Sequence, residues 1–209
     1  MPEQTENPRE QFENKVVWIT GASSGIGEAL AKVFAANGAR VVLSARNETE
    51  LQRVRDECID AGADAGTLLV VPLDVVDYAA MPGAVATVKA NFSRIDMLIN
   101  NAGMSQRSFC LDTEMDVYRS MLEVNVLGQI ALTKQVLPIM VEQGSGRMVV
   151  TASVAGKVGA PLRTGYCAAK HAVMGFFDAL RTEVAVYGIQ VSTVVPGFIR
   201  TNISSNALT

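Results

Sequence analysis

Six short runs of β-branched and aliphatic residues, each separated from the next by a longer stretch with helical spacing, constrain this chain more than any other feature. The runs fall at 16–20, 40–44, 67–72, 97–100, 147–151 and 190–195. Each is too short and too uniformly apolar for a strand wetted on one side, so the pattern predicts a parallel sheet buried on both faces. The intervening stretches at 25–37, 48–61, 77–91, 115–143 and 165–187 predict helices. The expected fold class is therefore α/β, a single-domain Rossmann-type doubly wound parallel sheet with helices on both faces. A chain of 209 residues with 49% apolar composition can bury one such core. Residues 1–14 are polar, mixed in charge and carry two prolines, and are expected to form a flexible arm ahead of one folded unit at 15–209.

Composition narrows the partners. A net charge of -3 with 19% charged residues offers no basic excess to attract nucleic acid or anionic lipid. The N-terminal stretch has no apolar run of the kind a secretory signal or membrane anchor needs. Three widely spaced cysteines (Cys58, Cys110, Cys167) and the single His171 make neither a disulfide framework nor a usual zinc ligand set. The expectation is a cytoplasmic protein without a structural metal.

Directly after the first strand comes Gly21-Ala22-Ser23-Ser24-Gly25-Ile26-Gly27, a glycine-rich turn opening into a helix. Glycines there let the backbone approach a pyrophosphate, while the helix N-terminus supplies free N–H groups and partial positive charge. Dinucleotide binding is expected, with Ser23, Ser24 and Ile26 in the loop as further contacts. At the end of the second strand such a site usually has an acid that holds the adenosine ribose and repels a 2'-phosphate. Here that position is Ala45, followed by Arg46. A guanidinium can pair with a phosphate dianion through two parallel hydrogen bonds, so NADP(H) is expected over NAD(H); the alternative is a solvated surface arginine.

Tyr166 and Lys170 lie four apart on an expected helix, so both project from one face. A phenol ionises near pH 10, and a neighbouring ammonium together with a cationic nicotinamide would bring it closer to neutrality, as a general acid or base requires. Ser153 follows the fifth strand, at the carboxyl edge where open α/β sheets bind ligands. Its hydroxyl could hold a substrate oxygen beside Tyr166. Asn125 interrupts an apolar helix with an amide and reads either as a satisfied core residue or as part of the same centre.

Thr20 to Gly27, Asn100-Asn101-Ala102-Gly103, Ser153, Tyr166-x-x-x-Lys170 and Pro196-Gly197 together resemble the classical short-chain dehydrogenase/reductase family, in order and approximate spacing from Lys15 onward. The phrases Val136-Leu137-Pro138, Tyr166 to Ala172 and Pro196 to Thr209 look close to its steroid and retinoid type subgroup and are also compatible with a 3-oxoacyl reductase. The resemblance implies hydride transfer between NADP(H) and a ketone or secondary alcohol, with Asn125, Ser153, Tyr166 and Lys170 catalytic. It also implies cofactor contacts from Asn101, Ala102 and Gly103, from Asp74 with Val75 at the adenine, and from Pro196, Gly197, Ile199 and Thr201 at the nicotinamide end. Lys170 would bind the nicotinamide ribose, and Asn125 a water leading from the lysine to solvent. For Asp74 a helix N-cap, and for Pro196-Gly197 an ordinary turn, are the plainer alternatives.

Family members continue past the Pro-Gly segment into a lid and a last strand, which are expected to be missing from a sequence ending at Thr209. Met104, Ser105, Val154, Val158, Pro161, Leu162 and Phe198 are the expected remnants of a mostly apolar substrate pocket, fitting a 3-oxoacyl, steroid-like or other carbonyl compound. Helices apolar on more than one face suggest a homodimer or homotetramer. A catalytically silent NADP(H)-sensing or scaffold protein on the same fold is the alternative function.

Overall fold

The computed structural model describes residues 11–201, 203 and 207–209. Most of the expected arm lies outside the described residues, but its last part is packed. Phe12 meets Phe34 edge-on with ring centroids 5.0 Å apart, and the Asn14 amide donates to the Gly38 carbonyl at 2.9 Å. The folded unit thus starts ahead of Lys15.

The elements run β1 (Val16–Thr20), α1 (Gly25–Ala36), β2 (Arg40–Ser44), α2 (Glu48–Asp60), β3 (Leu68–Val70), α3 (Met81–Phe92), β4 (Met97–Asn100), α4 (Met115–Leu122), a π segment (Glu123–Leu127), α5 (Gly128–Gln143), β5 (Gly146–Thr151), α6 (Thr164–Val184) and β6 (Ile189–Val194). All strand pairs are parallel, in the order β3-β2-β1-β4-β5-β6. The winding reverses beside β1, so a crevice opens between the loops that follow β1 and β4, where doubly wound sheets place their ligands.

Strand alternation divides the core in two. Val16 and Trp18 face one layer, which includes residues of α3, α5 and α6, while Val17 and Ile19 face the layer formed with α1 and α2. Trp18 is fully buried, and its indole N–H donates to Ser44 Oγ, which in turn donates to the Val71 carbonyl, at 2.8 and 2.7 Å. The largest apolar side chain of β1 therefore enters the core without an orphaned donor; burying such a ring contributes about 1.5–3 kcal/mol.

Four expectations are corrected by the structure. The helix foreseen at 115–143 contains the π segment, marked by the Gly128 amide bonding back to Glu123, five residues earlier. The helix foreseen from residue 77 begins at Met81, with Pro82 in its first turn and tight turns at 77–80 before it. The third strand stops at Val70, short of Pro72, which has no N–H to pair. Among the described residues β6 pairs only with β5, and it buries Ile189 and Val191 while Gln190, Ser192 and Val194 are exposed. Among the described residues one helical run, Met115–Gln143, is long and apolar enough to cross a membrane; half of its most apolar window is buried against the rest of the chain.

Candidate active site

A single cleft of about 590 Å³ runs along the carboxyl edge of the sheet, from the loop after β2 to the segment after β6. Two loops build its floor by interlocking. Gly21 has φ +67°, and a Cβ there would sit 2.9 Å from the Ala102 Cα. A Cβ on Gly27 would sit 2.1 Å from the Gly21 carbonyl oxygen and 2.7 Å from Asn101 Nδ2. Only glycine permits this approach, so the turn after β1 and the turn after β4 must be read together. Thr20 Oγ1 locks them: it accepts the amides of Asn101 and Ala102, both at 3.0 Å, and donates to the Ile99 carbonyl at 3.3 Å.

Helix α1 begins in this floor. Its N-cap, Ser24, makes no side-chain capping bond, so the first amides of the helix are left to a ligand rather than to the chain's own hydroxyl. Gly21, Ser23, Ser24, Gly25 and Ile26 border the cleft; Gly27 lies beneath it as a packing residue. Ala45, Arg46 and Asn47 form the edge at the β2 end. Arg46 is exposed and has no ion-pair partner among the described residues. Asp74 and Val75 line the next stretch, and Asp74 accepts the Val76 amide at 3.2 Å, a local turn rather than the helix cap weighed as an alternative. A dinucleotide fits this donor set: uncapped amides for phosphates, a close backbone approach, and a free guanidinium at the adenosine end.

At the other end Ser153, Tyr166 and Lys170 border the same cleft, with Pro196, Gly197, Ile199 and Thr201 across from them. Lys170 Nζ lies 5.7 Å from the centroid of the Tyr166 ring, as the one-turn spacing on α6 requires. The lysine is 3% exposed and donates to the Thr151 carbonyl at 2.9 Å. Burial pushes its ammonium down to about 8. Without the nicotinamide in place, the surroundings of Tyr166 act in both directions. Burial pushes the Tyr166 phenol up, while the Ser153 hydroxyl and the Arg163 guanidinium pull it back down and Cys167 adds a small upward push.

Asn125 stands in the π segment, fully buried, and does not border the cleft. Its Oδ1 accepts the Met104 amide at 3.3 Å, and its Nδ2 donates to the carbonyls of Met104 and Met121 at 3.1 and 3.0 Å. A Cβ on Gly103 would lie 2.8 Å from Asn125 Oδ1 and 3.7 Å from Lys170 Nζ. Asn125 thus pins the turn that forms the wall beside the lysine. The extra π residue aims this amide at the turn, a common use of such bulges.

Several participants are not singled out by the sequence reading. Gln129, four residues after Asn125, is 1% exposed and donates to the Ala102 carbonyl at 2.8 Å; a second amide on an apolar helix face was the available signal. Arg53 of α2 donates to the Ser23 carbonyl at 3.3 Å and pairs with Glu28 of α1 at 3.0 Å, tying the glycine loop to the next helix, with no local signal. Of the expected substrate-pocket residues only Met104 borders the cleft. Ser105 is buried, while Val154, Val158 and Phe198 are exposed. Ile203 and Leu208 line the mouth instead; Leu208 pairs with the 105–107 segment through amide bonds at 2.8 and 2.7 Å.

Comparison with known proteins agrees with this geometry. The family model for short chain dehydrogenases matches residues 15–209. The chain is 48% identical over 207 residues to human dehydrogenase/reductase SDR family member 7, covering 98% of this chain and 61% of that protein. It is 46% identical over 207 residues to the Drosophila melanogaster dehydrogenase/reductase SDR family protein 7-like, covering 99% and 64%. The chain therefore spans less than two thirds of the length of these curated relatives. Among solved structures, a short chain dehydrogenase/reductase from Burkholderia phymatum in complex with NAD superposes with a TM-score of 0.88 at 32% identity, covering 93% of this chain and 69% of that one. Levodione reductase superposes with a TM-score of 0.89 at 35% identity, covering 93% and 76%. A six-stranded parallel sheet, an interlocked glycine floor and a matched family model along the folded length place the chain in the classical short-chain dehydrogenase/reductase family of oxidoreductases.

Proposed function

We propose that the protein interconverts an apolar ketone and its secondary alcohol using NADP(H), with Tyr166 as the acid and base. One observation carries the reading: Ser153, Tyr166 and Lys170 border the far end of the same cleft whose near end is the glycine loop. When bound, the nicotinamide would supply or accept the hydride. The chain's own residues do the rest. Amides at the α1 N-terminus hold phosphate, Asp74 with Val75 borders the adenine, and Asn101 to Gly103 with Pro196, Gly197, Ile199 and Thr201 fix the reactive end. Ser153 Oγ and the Tyr166 hydroxyl both donate to the substrate oxygen. In reduction the Tyr166 proton passes to that oxygen as it becomes an alkoxide; in oxidation it returns. Lys170, deep beneath them, holds positive charge near the phenol and binds ribose, and Asn125 steadies the wall beside it.

Arg46 supports NADP(H), because no acid at position 45 opposes a 2'-phosphate and the guanidinium is free to pair with one. The apolar mouth, formed by Met104, Ile199, Ile203 and Leu208, supports a substrate with little polar surface. The test is NADPH oxidation, followed by absorbance, against ketones, 3-oxoacyl thioesters and steroids. Turnover of at least one carbonyl class is expected; no turnover of any, with NADPH bound, contradicts the reading.

A further inference from the structure

Tyr166 stands where ionisation is disfavoured. The ring is partly buried, and that burial pushes the phenol up. Lys170 is near, but its ammonium is buried without a carboxylate partner among the described residues and is pushed down to about 8. Above that pH it holds only part of its charge.

A second cation is built into the same place. The guanidinium carbon of Arg163 lies 5.9 Å from the centroid of the Tyr166 ring. Its Nη1 donates to Ser105 Oγ, on a residue 1% exposed. The neighbouring Gln106 accepts the Gly165 amide at 3.0 Å, so the 105–106 segment grips the chain on both sides of Thr164. Just before Arg163, Leu162 has φ +63°, a conformation that a branched residue adopts only when its surroundings impose it. The Ser108 amide donates to the Leu162 carbonyl at 3.2 Å and helps to hold it there. No carboxylate pairs with Arg163 among the described residues. Arginine also stays charged at every pH at which a phenol titrates.

We propose that Arg163 is a positioning residue for the acid–base step: clamped by Ser105 against Tyr166, it supplies a permanent positive charge that favours phenolate, beside that of Lys170. The proposal rests on reading Tyr166 as the acid and base. Arg163 exchanges no proton; the proton moves only between Tyr166 Oη and the substrate oxygen. The titratable and charged groups around the phenol are Arg163 ahead of it, Cys167 and Lys170 on its own helix, and the Ser153 hydroxyl from the loop after β5. Tyr118 of α4 bonds Thr164 Oγ1 at 3.0 Å instead.

Two titrations test it. In alcohol oxidation, the pH at half-maximal turnover is expected to rise by roughly half a unit to one unit in Arg163→Gln, as expected for one partly screened charge at this range. Arg163→Lys should stay close to wild type. Independently of turnover, the tyrosinate absorbance of Tyr166, taken as the difference from Tyr166→Phe, should shift upward by a similar amount in Arg163→Gln. It should shift by less in Ser105→Ala, which frees the guanidinium without removing it. Equal phenol titrations in wild type and Arg163→Gln, or an equal shift in Arg163→Lys and Arg163→Gln, overturn the proposal. If Arg163→Gln does not fold, Ser105→Ala decides, and an unchanged phenol titration there overturns it. Absence of turnover in the wild type would sink the proposed function alone, because the absorbance titration still decides the role of Arg163.

Discussion

A lysine 3% exposed, with one carbonyl as its described partner, costs the fold stability whenever it is charged. Its folded value of about 8 lies below the ordinary lysine value of 10.5. The unfolded chain therefore binds more protons between those values, and this residue's contribution to stability rises with pH across that window. Lys170→Met is predicted to lose at least about a hundredfold in turnover. Its stability relative to wild type should be most favourable below pH 8 and decline toward pH 10.5, read from denaturant midpoints at several pH values; a constant difference would mean the ammonium is not desolvated. At the other end of the cleft, replacing Ala45 with Asp and Arg46 with Gln removes a charge-assisted contact worth roughly 1.5–3 kcal/mol and adds repulsion. The ratio of NADH to NADPH affinity should rise about tenfold to a hundredfold. Wild-type protein binding both equally well in titration would reduce Arg46 to a surface residue.

At the scale of elements, the two interlocked turns make a sharper demand than either motif alone. Gly27→Ala would put a methyl 2.1 Å from the Gly21 carbonyl oxygen, on backbone that cannot swing away. The predicted cost is about 1–3 kcal/mol of stability, as for other overpacked sites. NADPH binding should weaken with it, since the displaced loop is the phosphate floor; unchanged affinity and an unchanged urea midpoint would contradict the interlock. This demand explains what the sequence could disclose. The glycines, Tyr166 and Lys170 were legible because their spacing itself encodes a turn or a shared helix face. The π segment was not, because the run around it is apolar on more than one face and so hides the shift of phase that one inserted residue causes. Gln129, Arg53 and the locking bonds of Thr20 are not legible because their partners are backbone groups far along the chain, which no local pattern records.

Taken whole, the molecule still shows apolar surface on its helical side. Met115, Leu122 and Leu127, all from the run that holds Asn125, are 60%, 42% and 47% exposed. Covering such faces is what association of like chains achieves. A homodimer or homotetramer is predicted by light scattering at micromolar concentration, with Leu122→Glu combined with Leu127→Glu shifting it toward monomer; a monomeric wild type would contradict this. Hydride transfer assisted by Tyr166 can be followed atom by atom. When the protein is incubated with NADPH carrying deuterium on the transferred position and a ketone that it reduces, mass spectrometry of the alcohol is expected to show one deuterium on the carbinol carbon. Tyr166→Phe should form it at least about a hundredfold more slowly although NADPH binding is retained. Deuterium transfer by Tyr166→Phe at the wild-type rate would contradict that assistance.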